Sequence, residues 1–77
     1  MTEIDYKEVG SPEDRMLEEL SELLQAMAKA RRFGIDNICP PGGGKPSEVG
    51  KTNRQLILEE IADVLEMAPI YRNSLLE

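Results

Sequence analysis

The sequence predicts an all-α fold, and three observations carry that prediction. Apolar residues recur at spacings of three and four in two separate stretches, the period of a helix with one apolar stripe. Each stretch opens on a helix-start signal. Nowhere do apolar and polar residues alternate as they do in a half-buried strand. A chain of 77 residues holds one domain, with a large surface for its volume. We therefore expect an antiparallel helical hairpin with a kinked or short third helix. Two such hairpins would assemble as a dimeric four-helix bundle, because each leaves much of its apolar stripe uncovered.

Residues 1–10 have no sustained period and are expected to form an extended arm. A first helix is expected over 11–33. Ser11 can cap it, Pro12 suits its first position, and Glu13 and Asp14 suit its positive first turn. Met16, Leu20, Leu23, Leu24 and Met27 make its stripe. Lys29, Arg31 and Arg32 favour its negative end, and Gly34 is a natural stop.

Residues 34–51 form a Gly/Pro-rich loop, since CPPGGGKP (Cys39–Pro46) lacks backbone donors at its prolines and carries the entropy of three glycines. Loops this long in a small domain are functional or disordered. Cys39 is the single cysteine and has no histidine partner in the chain, so it is expected to be an inert loop thiol. Gly50-Lys51-Thr52 ends like a phosphate-binding loop, but Lys45 stands where the first glycine is required and no strand precedes it.

The second helix is expected over 52–68, with Thr52 and Gln55 as a capping box and Ile57, Ile61, Val64, Leu65 and Ala68 as its stripe. Pro69 should kink or end it, leaving 70–76 as a short third helix.

Composition narrows the function classes. The net charge of −6 argues against binding nucleic acid or an anionic membrane directly. No apolar run approaches the roughly 20 residues of a membrane span. The segment MTEIDYKEV lacks the basic and apolar regions of a signal peptide, and one cysteine allows no internal disulfide, so a cytoplasmic setting is expected.

The chemistry lies in a repeated string. Glu18–Leu24 reads EELSELL, and Glu59–Leu65 reads EEIADVL. Glu19 and Glu22 lie three apart on one helix, as Glu60 and Asp63 do on the other, and each pair borders its apolar stripe. An antiparallel hairpin would gather these four carboxylates at one edge of its seam. Four like charges there repel unless some protonate or a cation compensates. With oxygen donors alone and no histidine, the cation favoured is Mg²⁺ or Mn²⁺.

The two motifs, EExxE in Glu18–Glu22 and ExxD in Glu60–Asp63, resemble those of the MazG-like all-α nucleoside triphosphate pyrophosphohydrolases. The longer string EEIADVLE (Glu59–Glu66) is also similar to phosphoribosyl-ATP pyrophosphohydrolase and its relatives. What the resemblance implies is Mg²⁺-dependent cleavage of a nucleoside triphosphate to a monophosphate and pyrophosphate. Glu19, Glu22, Glu60 and Asp63 would be metal ligands and Glu18 the catalytic, water-activating group. Lys29 and Arg32 are similar to a KxxR element that contacts phosphate. Lys45, Lys51 and Arg54, in or just after the loop, are further phosphate-binding candidates. Two other readings stand beside this one: a phosphoribosyl-ATP pyrophosphohydrolase-type activity, and a non-catalytic helical homodimer that binds metal or a partner protein.

Overall fold

In a computed structural model, which describes residues 10–77, the chain is two long helices and a folded connection. The arm expected over 1–10 lies outside the described residues apart from Gly10. Helix α1 spans Pro12–Phe33 and helix α2 spans Asn53–Leu75. Among the described residues there is no strand and no helix long and apolar enough to cross a membrane.

Both helix starts are built as reciprocal caps. Asp14 N–H donates to Ser11 Oγ and Ser11 N–H donates to Asp14 Oδ2, at 3.2 and 3.1 Å. Thr52 and Gln55 repeat the arrangement at α2. Each box satisfies donors that a helix end otherwise leaves open.

The helices run antiparallel. The start of α2 meets the end of α1, where Asn53 Nδ2 donates to the Gly34 carbonyl at 2.8 Å. At the other end, the Tyr71 hydroxyl reaches Glu13 Oε1 at 3.5 Å.

The third helix is corrected: α2 passes through Pro69 and continues to Leu75. Proline there removes one N–H and crowds the carbonyl of Leu65. Met67, Ala68, Tyr71 and Ser74 nevertheless remain buried or half-buried on both sides of it. Packing therefore carries the helix across the lost bond.

The seam is also rotated from the expected stripe. It is made by Met16, Glu19, Leu23, Ala26 and Ala30 of α1 against Leu56, Glu60, Val64 and Met67 of α2, all buried or half-buried. Leu20, Leu24, Met27, Ile61 and Leu65, expected in the core, are exposed instead, Leu24 and Leu65 by 66% and 67%. The apolar arc of each helix is wider than one partner helix can cover. Ala26 and Ala30 lie on the face that is buried.

The connection is a clasp. Pro40-Pro41-Gly42-Gly43 makes a tight turn closed by Gly43 N–H to Pro40 O at 2.9 Å, with Gly42 at φ +81°, the residue pattern of a type II turn. Cys39 and Ile38 pair with the strand-like return: Cys39 N–H donates to Lys51 O, Gly50 N–H to Cys39 O, and Ile38 bridges Thr52. Asn53 and Arg54 N–H groups, open donors of the first turn of α2, are taken by the carbonyls of Asn37 and Ile35. Backbone pairing on both flanks holds a segment whose composition alone reads as irregular.

Candidate functional site

At the middle of the seam the two acidic turns face each other. Glu19, Glu22, Glu60 and Asp63 each offer one carboxylate oxygen, and these oxygens all lie within 4.8 Å of one another. The reason is helical phase. Glu19 and Glu60 occupy seam positions, and at about 100° per residue Glu22 and Asp63 follow them onto the same flank of the hairpin.

The seam withholds solvent from part of this cluster. Glu19 Oε2 and Glu60 Oε2 are shut from water and have no hydrogen-bond partner. Desolvation raises the carboxyl pKa of Glu19 above its usual 4.5, helped by the charges of Glu22, Asp63 and Glu18 and opposed by Arg15. Desolvation raises that of Glu60 as well, followed by the charges of Glu22 and Asp63, a hydrogen-bonded contact with Glu22, and the charge of Glu19.

The remaining candidates divide. Lys29 is half-buried, and with Lys45, Glu22 and Glu60 it lines a small cleft of about 50 Å³ beside the cluster. Lys45 reaches in from the clasp, its Nζ 3.9 Å from Glu22 Oε1. Glu18 is exposed next to Glu19. Three of the phosphate-binding candidates stand elsewhere. Lys51 pairs with Glu59 at 2.6 Å. Arg54 is held by Asp36 at 3.1 Å, which raises its pKa through that hydrogen bond and charge. Arg32 lies 5.2 Å from the centre of the Phe33 ring, on the outer face of α1. Opposite charge at Glu59 and Asp36 takes two of these cations, Lys51 and Arg54, and sequence spacing within one helix does not reveal it.

One feature goes beyond the sequence expectations. Beneath the clasp is a cavity of about 270 Å³ lined by Phe33, Asn37, Ile38, Cys39 and Leu56 among others, with Lys29 at its border. Cys39 is a buried free thiol in this wall. The Pro-Pro-Gly-Gly string was the available signal, because a tight turn packed back on its own flank encloses space.

No protein-family model, no curated protein and no solved structure matches the chain.

Proposed function

We propose that the chain is a nucleotide pyrophosphohydrolase whose four seam carboxylates hold Mg²⁺ or Mn²⁺. The observation that carries this reading is the pair of orphaned oxygens, Glu19 Oε2 and Glu60 Oε2, within a convergent set of four carboxylates. Buried carboxylate oxygens without donors are costly. An all-oxygen set without His or Cys fits a hard divalent cation. The resemblance of the EExxE and ExxD strings to the MazG-like enzymes supports the same reading.

A divalent cation held by Glu19, Glu22, Glu60 and Asp63 supplies charge neutralisation for a phosphate chain and for its transition state. Lys29 and Lys45, in the adjoining cleft, bind and orient that chain. Water adds to the α-phosphorus, the bond from that phosphorus to the bridging oxygen breaks, and pyrophosphate leaves. Glu18, exposed beside Glu19, orients the water and takes its proton. Lys51, Arg54 and Arg32 are assigned no phosphate contact in this scheme, since the first two are paired with Glu59 and Asp36 and Arg32 lies beside the Phe33 ring.

The working form is a homodimer with the apolar flanks packed as a four-helix bundle. Helical phase places Leu20, Leu24 and Met27 a quarter-turn to one side of the α1 seam. In an antiparallel pair Ile61 and Leu65 fall on the same side of the hairpin, away from Glu22 and Asp63. A second copy covering that flank leaves the carboxylates open.

The decisive experiment is a panel of nucleoside triphosphates with Mg²⁺, assayed for pyrophosphate release. Release that disappears in Glu19→Gln and Asp63→Asn supports the reading. Absence of release from every canonical and modified nucleotide would leave a metal- or partner-binding helical dimer as the better account.

A further inference from the structure

We propose that the cavity beneath the clasp seats the base and sugar of the nucleotide whose phosphates lie against the seam carboxylates. This inference rests on the pyrophosphohydrolase reading and adds to it the part of the substrate that the carboxylates leave unaddressed.

Continuity is the first support. Lys29 and Leu56 line both the 270 Å³ cavity and the small polar cleft that contains Glu22, Glu60 and Lys45. One path therefore leads from the four carboxylates, past two ammonium groups, to a mostly apolar cleft. Glu22 to Lys29 is two helical turns, about 10 Å along α1. Glu60 to Asn53 is the same interval on α2. A sugar and the inner phosphates span such a distance, so one molecule can occupy both ends.

The lining gives the second support. Leu56, Ile38 and Pro40 supply apolar walls, and Phe33 at the end of α1 supplies an aromatic ring, with Arg32 5.2 Å from its centre on one face. Any heterocyclic base stacks on such a ring, whatever its edge groups. Asn37 brings a side-chain amide that makes no hydrogen bond within the described residues, though its backbone N–H and carbonyl are both engaged. Such an amide carries donors and an acceptor together and can pair with the polar edge of a base. A mostly apolar pocket with a few placed polar groups is how small-ligand sites are built.

The third support is that the turn beside the cavity is closely packed on its own neighbours. Gly43 sits against Pro40 so closely that a Cβ there would lie 2.8 Å from the proline ring. A Cβ on Gly44 would lie 2.9 Å from Glu48 Oε1, the oxygen that accepts from Lys45 N–H. The same turn that roofs the cavity thus places Lys45 over the polar cleft.

Cys39 provides the test. Its thiol lines the cavity, and its reaction with a maleimide reports whether the cavity is filled. The probes are nucleoside 5′-monophosphates with Mg²⁺, compared with ribose 5-phosphate, inorganic pyrophosphate and Mg²⁺ alone. A monophosphate at ten times its dissociation constant is expected to slow the modification about tenfold. The probes lacking a base should leave the rate near that of Mg²⁺ alone. Phe33→Ala is expected to weaken monophosphate binding about tenfold or more, the scale of a lost base–aromatic stack, without moving the Mg²⁺ midpoint. Phe33 and Ile38 are exposed by 58% and 57%, so Ile38→Ala serves as a second variant that the fold tolerates.

Equal protection by pyrophosphate and by the monophosphates would overturn the inference, and so would unchanged monophosphate affinity in both variants. The parent reading fails separately. Absence of pyrophosphate release together with base-dependent protection of Cys39 retains a nucleotide-binding cavity without hydrolysis. Release with no base-dependent protection retains the enzyme and removes this seat.

Discussion

Glu19 and Glu60 meet across the helix seam, each with one oxygen that neither water nor any donor reaches. Two carboxylates in that position oppose the packing of the helices that carry them. With a chelator present, Glu60→Gln is therefore expected to stabilise the fold by roughly 1 kcal/mol, or about 4–8 °C in melting temperature. Thermal unfolding of the chelated proteins measures this. A Glu60→Gln protein that melts below the parent would show the charge to be compensated within the chain.

The pH dependence follows with a definite sign. Folding raises the pKa of Glu19 and Glu60 above 4.5, first through desolvation and then through neighbouring Glu22 and Asp63. The folded chain thus holds protons that the unfolded chain has released. Their contribution to stability is present below 4.5 and is lost as pH rises through the raised values. Chelated protein should lose stability from this pair as pH rises from 4.5 through the raised values, and the Glu19→Gln/Glu60→Gln double variant should lose less. Urea titrations at a series of pH values compare the two slopes.

Divalent cation should reverse the penalty. At a hundred times its dissociation constant a ligand adds about 2.7 kcal/mol, which is roughly 10–20 °C for a domain of this size. Mg²⁺ or Mn²⁺ is expected to raise the parent's melting temperature on that scale and to leave Glu19→Gln and Asp63→Asn nearly unmoved. Equal shifts in parent and variants would place the cation elsewhere on the acidic surface.

The sequence made the four carboxylates legible and the seam that holds them only partly so. Glu19/Glu22 and Glu60/Asp63 are local relationships within a helical turn, and local periodicity reports them faithfully. Which arc of each helix turns inward is a contest between faces. Leu20 and Leu24 outrank Ala26 and Ala30 in hydrophobicity, yet the alanines are the residues turned inward, together with Met16 and Leu23. Pro69 is a similar case, since a local helix breaker gives way to packing on both of its sides. The clasp was illegible for another reason. Its hydrogen bonds join Ile35, Asn37 and Cys39 to Lys51, Asn53 and Arg54, pairings that no local pattern announces.

Asn53 ties the clasp to both helices. It is buried at the first position of α2, and its side chain donates to Gly34 O where α1 ends. Asn53→Ala leaves that carbonyl without this donor and removes packing at the cavity wall. A loss of about 1–3 kcal/mol is expected. Amide exchange should accelerate at Cys39 and Gly50, whose bonds close the clasp, more than in the middle of α1. Uniform acceleration would show instead that clasp and helices open as one unit.

The exposed apolar flank yields the final prediction. Leu56 and Met67 are among the few buried hydrophobic side chains, while Leu20, Leu24, Met27, Ile61 and Leu65 stay exposed on one side of the hairpin. A core that small is marginal alone, and we expect these exposed apolar side chains to form an association surface. Sedimentation at micromolar concentration is expected to show a dimer. Leu24→Glu and Leu65→Glu should each dissociate it, because a carboxylate buried at the new interface has no cation to meet. Glu66→Lys, exposed and about 100° round α2 from Leu65 on the side away from the flank, should leave the dimer intact. The dissociated variants should also melt lower, and at a temperature independent of protein concentration, since the dimer's stability depends on mass action and the monomer's does not. A parent chain that sediments as a monomer, or dimers that survive both substitutions, would move the association surface away from this flank.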